Sequence, residues 1–151
     1  MPFPQFVTVG VSYRPDPNWN FEANVDWTDW DRVEHATLAK ASGNIPVRFN
    51  WISSYIYEAG ITRFLTGGWF VSGGYFFTEA STPEADFTPL APDTDFHVGS
   101  LGFGRRGARW SWATAYQIMK GPERPINNGS PATGTFQFSN QAFVASLGYR
   151  F

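Results

Sequence analysis

From Trp19 to Thr28 the chain alternates without a slip. Trp19, Phe21, Ala23, Val25 and Trp27 fall on one parity, and Asn20, Glu22, Asn24, Asp26 and Thr28 on the other. Successive strand side chains point to opposite faces, so strict alternation of this length specifies an extended strand with one apolar and one polar face. Six further segments repeat the pattern, at about 6–14, 51–63, 69–78, 96–105, 109–119 and 135–151. The fourth, Trp69 to Thr78, is apolar on both faces, and the fifth is glycine-rich and weakly patterned. No run of about 18 or more apolar residues occurs, so no transmembrane helix is expected.

The connections carry a second rhythm. Short turns at Pro15-Asp16-Pro17-Asn18, Thr66-Gly67-Gly68 and Arg106-Gly107-Ala108 alternate with three long polar stretches, 29–50, 79–95 and 120–134. Outer-membrane barrels have short periplasmic turns and long extracellular loops. On that pattern Phe151, at the end of a strand that follows a long loop, lies at the periplasmic side. Trp19, Trp69 and Trp110 open strands just after short turns, and Trp27, Trp30 and Trp51 lie near the first long loop. Amphipathic rings favour both membrane interfaces, so two girdles are expected.

Composition supports a membrane barrel over a soluble sandwich, which also alternates. Aromatic residues make up 19% of the 151, and charged residues only 16%, against roughly 25% in soluble domains. Cysteine is absent, which excludes disulfide frameworks and thiolate metal sites. A formal net charge of −2 gives no electrostatic support for a nucleic-acid partner. Met1-Pro2-Phe3-Pro4 has neither a basic n-region nor an apolar h-region, so a chain with a missing upstream part is expected.

Barrel interiors are polar, and the polar parity supplies the candidate lumen residues. Glu22 and Asp26 share a strand face, with Glu58 on the neighbouring strand. A paired-carboxylate acid and base is the sharper reading of the first two; a water-facing wall is the plainer one. Ile56, Phe70, Phe76 and Val144 also project inward on this parity. An aqueous porin favours charge there, whereas a conduit for hydrophobic solutes uses apolar groups. His35 and His97 are the only histidines and show no metal-ligand spacing, so no metal and no cofactor is expected. A Ser-His-Asp hydrolase on His97 with Asp93 or Asp95 lacks a nucleophile motif.

The closing Ser146-Leu147-Gly148-Tyr149-Arg150-Phe151 resembles the C-terminal signal that the barrel-assembly machinery recognises in outer-membrane proteins, with Gly148, Tyr149 and Phe151 carrying the likeness. More of the chain resembles the FadL/TodX/OmpP1 family of outer-membrane transporters of long-chain fatty acids and other hydrophobic compounds. The resemblance runs through Trp19-Asn20-Phe21-Glu22-Ala23-Asn24-Val25-Asp26-Trp27-Thr28-Asp29-Trp30 and Pro46-Val47-Arg48-Phe49-Asn50-Trp51. It continues in Tyr57-Glu58-Ala59-Gly60-Ile61-Thr62-Arg63, Gly73-Gly74-Tyr75, Pro89-Leu90-Ala91-Pro92-Asp93-Thr94-Asp95 and the last strand.

The resemblance implies an all-β, antiparallel, up-and-down transmembrane barrel of fourteen strands with an N-terminal plug. Residues 1–151 would then be the C-terminal part of one barrel domain, a partial barrel of about seven strands. An open sheet in lipid leaves unpaired edges, and bacterial single-chain barrels have even strand counts. Both arguments predict a curved meander open at both edges. The implied function is passive diffusion of hydrophobic small molecules such as fatty acids, without catalysis, in contact with outer-membrane lipid. The alternatives are a general porin or structural barrel, and an outer-membrane lipid hydrolase.

Overall fold

The computed structural model describes residues 3–33, 35–38, 43, 45–88, 93–129 and 133–151. Its strands are β1 (Phe6–Tyr13), β2 (Trp19–Thr28), β3 (His35–Leu38), β4 (Ile45–Arg48), β5 (Ser54–Phe64), β6 (Trp69–Thr78), β7 (Phe96–Arg106), β8 (Trp110–Lys120), β9 (Arg124–Ile126), β10 (Gly134–Phe136) and β11 (Ser139–Tyr149). Seven of them form one sheet in the order β1-β2-β5-β6-β7-β8-β11. Every pair in it is antiparallel. The sheet is an up-and-down meander whose edges, β1 and β11, are not paired to each other. Six of its strands have 10 or 11 residues, the length that crosses a bilayer at a tilt of about 45°.

Turn chemistry explains the tight ends. Asp16 accepts a 2.7 Å hydrogen bond from the Asn18 amide, an Asx turn that reverses β1 into β2. Between β5 and β6, Gly67 and Gly68 take φ of 71° and 80°, where a side chain is disfavoured. Gly107 closes the third turn by donating its amide to the Trp110 carbonyl at 2.8 Å.

Two of the long connections carry strand pairs among their described residues. The first holds the β3–β4 hairpin, and the third holds a β9–β10 hairpin. Thr135 and Phe136 therefore belong to a loop hairpin, and β11 begins at Ser139 rather than near Thr135. Likewise β5 begins at Ser54, not Trp51, because residues 51–53 turn into the loop.

One face of the sheet is apolar and exposed. Register aligns Tyr13, Phe21, Ile61, Gly73, Leu101, Tyr116 and Phe143 in one row across all seven strands. Leu101 is 74% exposed, Phe143 70% and Leu147 72%. Each such side chain forfeits roughly 1.5–3 kcal/mol if left in water, and a whole face of them outweighs a typical net stability of about 5–15 kcal/mol. A soluble sandwich would cover this face with a second sheet; here the face is a lipid surface. Among the described residues the buried apolar side chains sit elsewhere: Val33, Phe87 and Ile126, at 1%, 4% and 2% exposure, lie in the long connections, and Val98, at 2%, on the inner face of β7. No helix among the described residues is long and apolar enough to cross a membrane.

Aromatic rings collect at both ends of this face. At the short-turn end Trp69 stacks on Phe103 at 5.1 Å and meets Trp112 edge-on at 5.7 Å, while Trp110 packs on Tyr149 at 4.7 Å. Arg63 and Arg105 lie over Trp19 and Trp69 at 5.1 and 5.4 Å. At the long-loop end, Tyr55, Tyr57, Phe77 and His97 form a continuous ring-to-ring series.

Candidate functional site

The opposite face carries the candidate residues. Register sets Asp26 beside Ile56, Thr78 and Phe96 in one row. The next row is Asn24, Glu58, Phe76 and Val98, and the next Glu22, Gly60, Gly74 and Ser100. Val144 is level with Ala115 on β8, and Phe70 with Phe64 and Gly104 near the short turns. All seven sequence-derived candidates thus share one face. Glu22, Asp26, Ile56, Glu58 and Phe76 come together on β2, β5 and β6, whereas Phe70 and Val144 lie apart from them.

Polar groups on this face bind one another. The Asn24 amide donates to Glu58 Oε2 at 3.2 Å. Asn20 accepts from Ser12 Oγ at 3.0 Å and Arg14 Nε at 2.9 Å. Asp26 Oδ1 is shielded from solvent and has no hydrogen-bond partner among the described residues. A carboxylate oxygen so placed is costly unless a donor reaches it. It suits a donor from another segment or from a solute; Glu22, four residues along β2, is roughly 13 Å away at strand rise, too far to share a proton with it.

Above these rows, at the long-loop end, a groove of about 430 Å3 opens. Trp30, Trp51, Ile56 and Phe96 supply its apolar walls, with Thr28 and Ser54 beside them. Trp30 and Trp51 meet edge to face at 5.3 Å. Sequence pattern alone assigns both rings to an interfacial girdle; in the structure they line this groove. Trp30 carried no parity signal, because β2 ends at Thr28 and Trp30 opens a short 3-10 turn. Phe96 shares the inner parity of Val98 and Ser100 on β7, whereas Trp51 precedes β5 and carried no parity signal.

The loop network fixes the groove's rim. Asp93 Oδ2 accepts the amides of Ser81 and Thr82 at 2.7 and 2.6 Å, and Asp95 Oδ1 accepts that of Ala80 at 2.8 Å. Arg124 reaches the carbonyls of Thr82 and Asp93 and lies over Phe87 at 5.1 Å. Outside the strands, Asp29 pairs with Arg32 at 2.7 Å, and a hydrogen bond to Asp29 raises the Asp31 carboxyl above the usual carboxylate range.

The hydrolase arrangement does not form. His97 is on the lipid face, and its Nδ1 is 2.6 Å from the Tyr75 hydroxyl. Asp93 and Asp95 are committed to backbone amides. No cluster among the described residues could hold a metal ion.

An apolar outer face, a mixed inner face, tight turns at one end and long connections at the other are the anatomy of an outer-membrane barrel wall. Residues 1–151 match the outer membrane protein transport protein family, OMPP1/FadL/TodX. The chain belongs to that family. FadL/TodX proteins are outer-membrane transport proteins, not enzymes, which places this chain in the bacterial outer membrane. Among solved structures it is similar to a Pseudomonas aeruginosa FadL homologue, with a TM-score of 0.82 at 21% identity. The match covers 97% of this chain and 35% of that one, so the chain spans about a third of the length of the solved protein. At that identity the likeness speaks for the fold. No curated protein matches the chain.

Proposed function

We propose that this chain forms the C-terminal part of the wall of an outer-membrane conduit for hydrophobic compounds, with long-chain fatty acids as the cargo class. The cargo crosses by passive diffusion. The carrying observation is the groove of Trp30, Trp51, Ile56 and Phe96, continued inward by Phe76 and Val98 between the polar Glu22, Asp26 and Glu58. An aqueous porin gains nothing from apolar side chains along its path. A conduit for amphiphiles needs both kinds of surface, one for the tail and one for the water that moves with the head. Phe70 and Val144 extend the apolar share toward the short-turn end.

In this orientation the long loops are extracellular and the groove is the point of capture. Gly148, Tyr149 and Phe151 form the signal read by the barrel-assembly machinery. The test is uptake of a fluorescent long-chain fatty acid by cells carrying the full-length protein, with and without an energised inner membrane. Entry that persists without energy and is lost with Ile56→Asp supports the reading. Ion or sugar flux unaffected by that substitution, with no fatty-acid entry in any variant, would replace it with a general porin.

A further inference from the structure

We infer that the short-turn end holds an oxyanion seat built from Arg106, Arg109 and Arg150, which takes the carboxylate or phosphate head of an amphiphile. The inference deepens the conduit reading and rests on it for the amphiphile, though not for the anion.

The placement follows from register. Arg106, Ser111 and Gly148 lie side by side across β7, β8 and β11. One step further toward the turn, the Arg150 amide donates to the Arg109 carbonyl at 2.8 Å, so these two arginines are direct cross-strand neighbours. The parity of Ser111 and Gly148 is the inner one, and Arg109 and Arg150 share it. The three arginines, with Ser111 and Gly148, line a recess of about 430 Å3. Gly148 keeps it open: a Cβ there would lie 2.7 Å from Ser111 Oγ.

Like charges directly opposite on an antiparallel pair repel. Among the described residues no carboxylate forms an ion pair with Arg106, Arg109 or Arg150 to relieve the repulsion. The surrounding charge is one-sided as well. Arg14, Arg63, Arg105, Arg106, Arg109 and Arg150 are six of the chain's 11 basic residues, while the three short turns contain a single carboxylate, Asp16.

The other arginines at this end are engaged differently. Arg14 is bonded to Asn20 and lies over Phe64 at 5.8 Å, and Arg63 and Arg105 lie on aromatic rings of the lipid face. Arg106 is braced over Phe64 and Phe70 at 5.6 and 5.5 Å, which presets its guanidinium. Preset guanidinium groups on an inner surface match a carboxylate or phosphate by paired N–H donors. Cargo moving from the groove would pass the carboxylates Glu22, Asp26 and Glu58 before it meets this cluster of opposite charge, an electrostatic bias toward the short-turn end for an anionic head.

The experiment measures equilibrium binding of dodecanoate and 1-dodecanol to the full-length protein in phosphatidylcholine nanodiscs, wild type against Arg109→Gln/Arg150→Gln. A charge-assisted contact is worth about tenfold in affinity, so the wild type should prefer dodecanoate by that factor and the double variant should lose the preference while its dodecanol affinity stays put. Equal loss for both amphiphiles, or no loss for either, overturns the seat. Adding phosphatidylglycerol to the disc distinguishes the sources: suppression of the dodecanoate preference assigns the seat to a lipid phosphate, and persistence assigns it to the cargo carboxylate. Binding of neither amphiphile removes the conduit reading. Inorganic phosphate, titrated into the same discs and followed by 31P line broadening, then decides the seat separately, since broadening abolished in the double variant upholds it and broadening absent from the wild type overturns it.

Discussion

Gly60 lies directly opposite Gly74 on the β5–β6 pair, and the two glycines leave the inner face without side-chain cover at mid-wall. Glu22, Asn24, Glu58 and Phe76 surround the resulting recess of about 210 Å3. A Cβ at Gly60 would meet only the Gly73 carbonyl, at 4.0 Å, so the site accepts a side chain without strain. Gly60→Leu should fill the recess and lower fatty-acid uptake several-fold while the barrel still assembles. Uptake assays paired with heat-modifiable gel migration test this; unchanged uptake by a correctly folded variant would remove the recess from the path.

Gly104 is the opposite case. A Cβ there would lie 2.6 Å from the Phe70 ring and 2.5 Å from the Trp112 carbonyl. The ring can turn, but the carbonyl belongs to the β7–β8 ladder. Overpacking of this kind costs about 1–3 kcal/mol, so Gly104→Ala should lower the urea midpoint of the refolded protein in micelles. A midpoint equal to wild type would show that β7 and β8 do not pack as described.

The two faces predict opposite responses to charge. Leu101 sits mid-strand on the apolar face, and Gln117 on the inner face one strand away. Leu101→Arg places a guanidinium in lipid, where midplane arginine costs about 2–4 kcal/mol. Gln117→Arg faces water and should cost far less. Folding titrations into lipid vesicles compare the two, and equal penalties would contradict the assignment of the faces.

Trp51 bears on capture. Its ring packs against Trp30 and closes one wall of the groove. Trp51→Ala should weaken binding of a long-chain fatty acid up to roughly tenfold, the scale of losing an aromatic contact worth about 0.5–1.5 kcal/mol. Isothermal titration of the full-length protein checks it. Binding of a short fatty acid that does not span the groove should change less.

His97 offers a discriminating control. Its Nδ1 is held by the Tyr75 hydroxyl on the lipid face, away from the inner rows. His97→Ala should leave fatty-acid uptake within about twofold of wild type, since isolated surface contacts are worth under roughly 0.5 kcal/mol. A tenfold loss would place His97 on the cargo path after all.

The wall was legible in the sequence because its signal is local. Alternation fixes side-chain parity residue by residue, and a strand that must bury one face in lipid cannot slip by one without turning that face to water. Trp19–Thr28 and Trp69–Thr78 appear with the boundaries their alternation predicts, and all seven inward candidates share a face. Glycine-rich β7 was harder, because Gly99, Gly102 and Gly104 carry no side chain to show parity, and its register comes from pairing with β6 and β8.

Tertiary structure alone decided the rest. The β3–β4 and β9–β10 hairpins are short and rich in turn residues, so no run of alternation marks them, and Thr135–Phe136 reads as part of the last strand until Phe136 is seen packed on Phe87 at 5.1 Å. The groove joins Ile56 and Phe96, from β5 and β7, with Trp30 and Trp51 from the connection between β2 and β5. Arg106, Arg109 and Arg150 meet only because β7, β8 and β11 pair in one register. Parity follows from chain geometry within a strand; which strands are neighbours, and how the loops fold over them, follows from long-range pairing that no window of sequence contains.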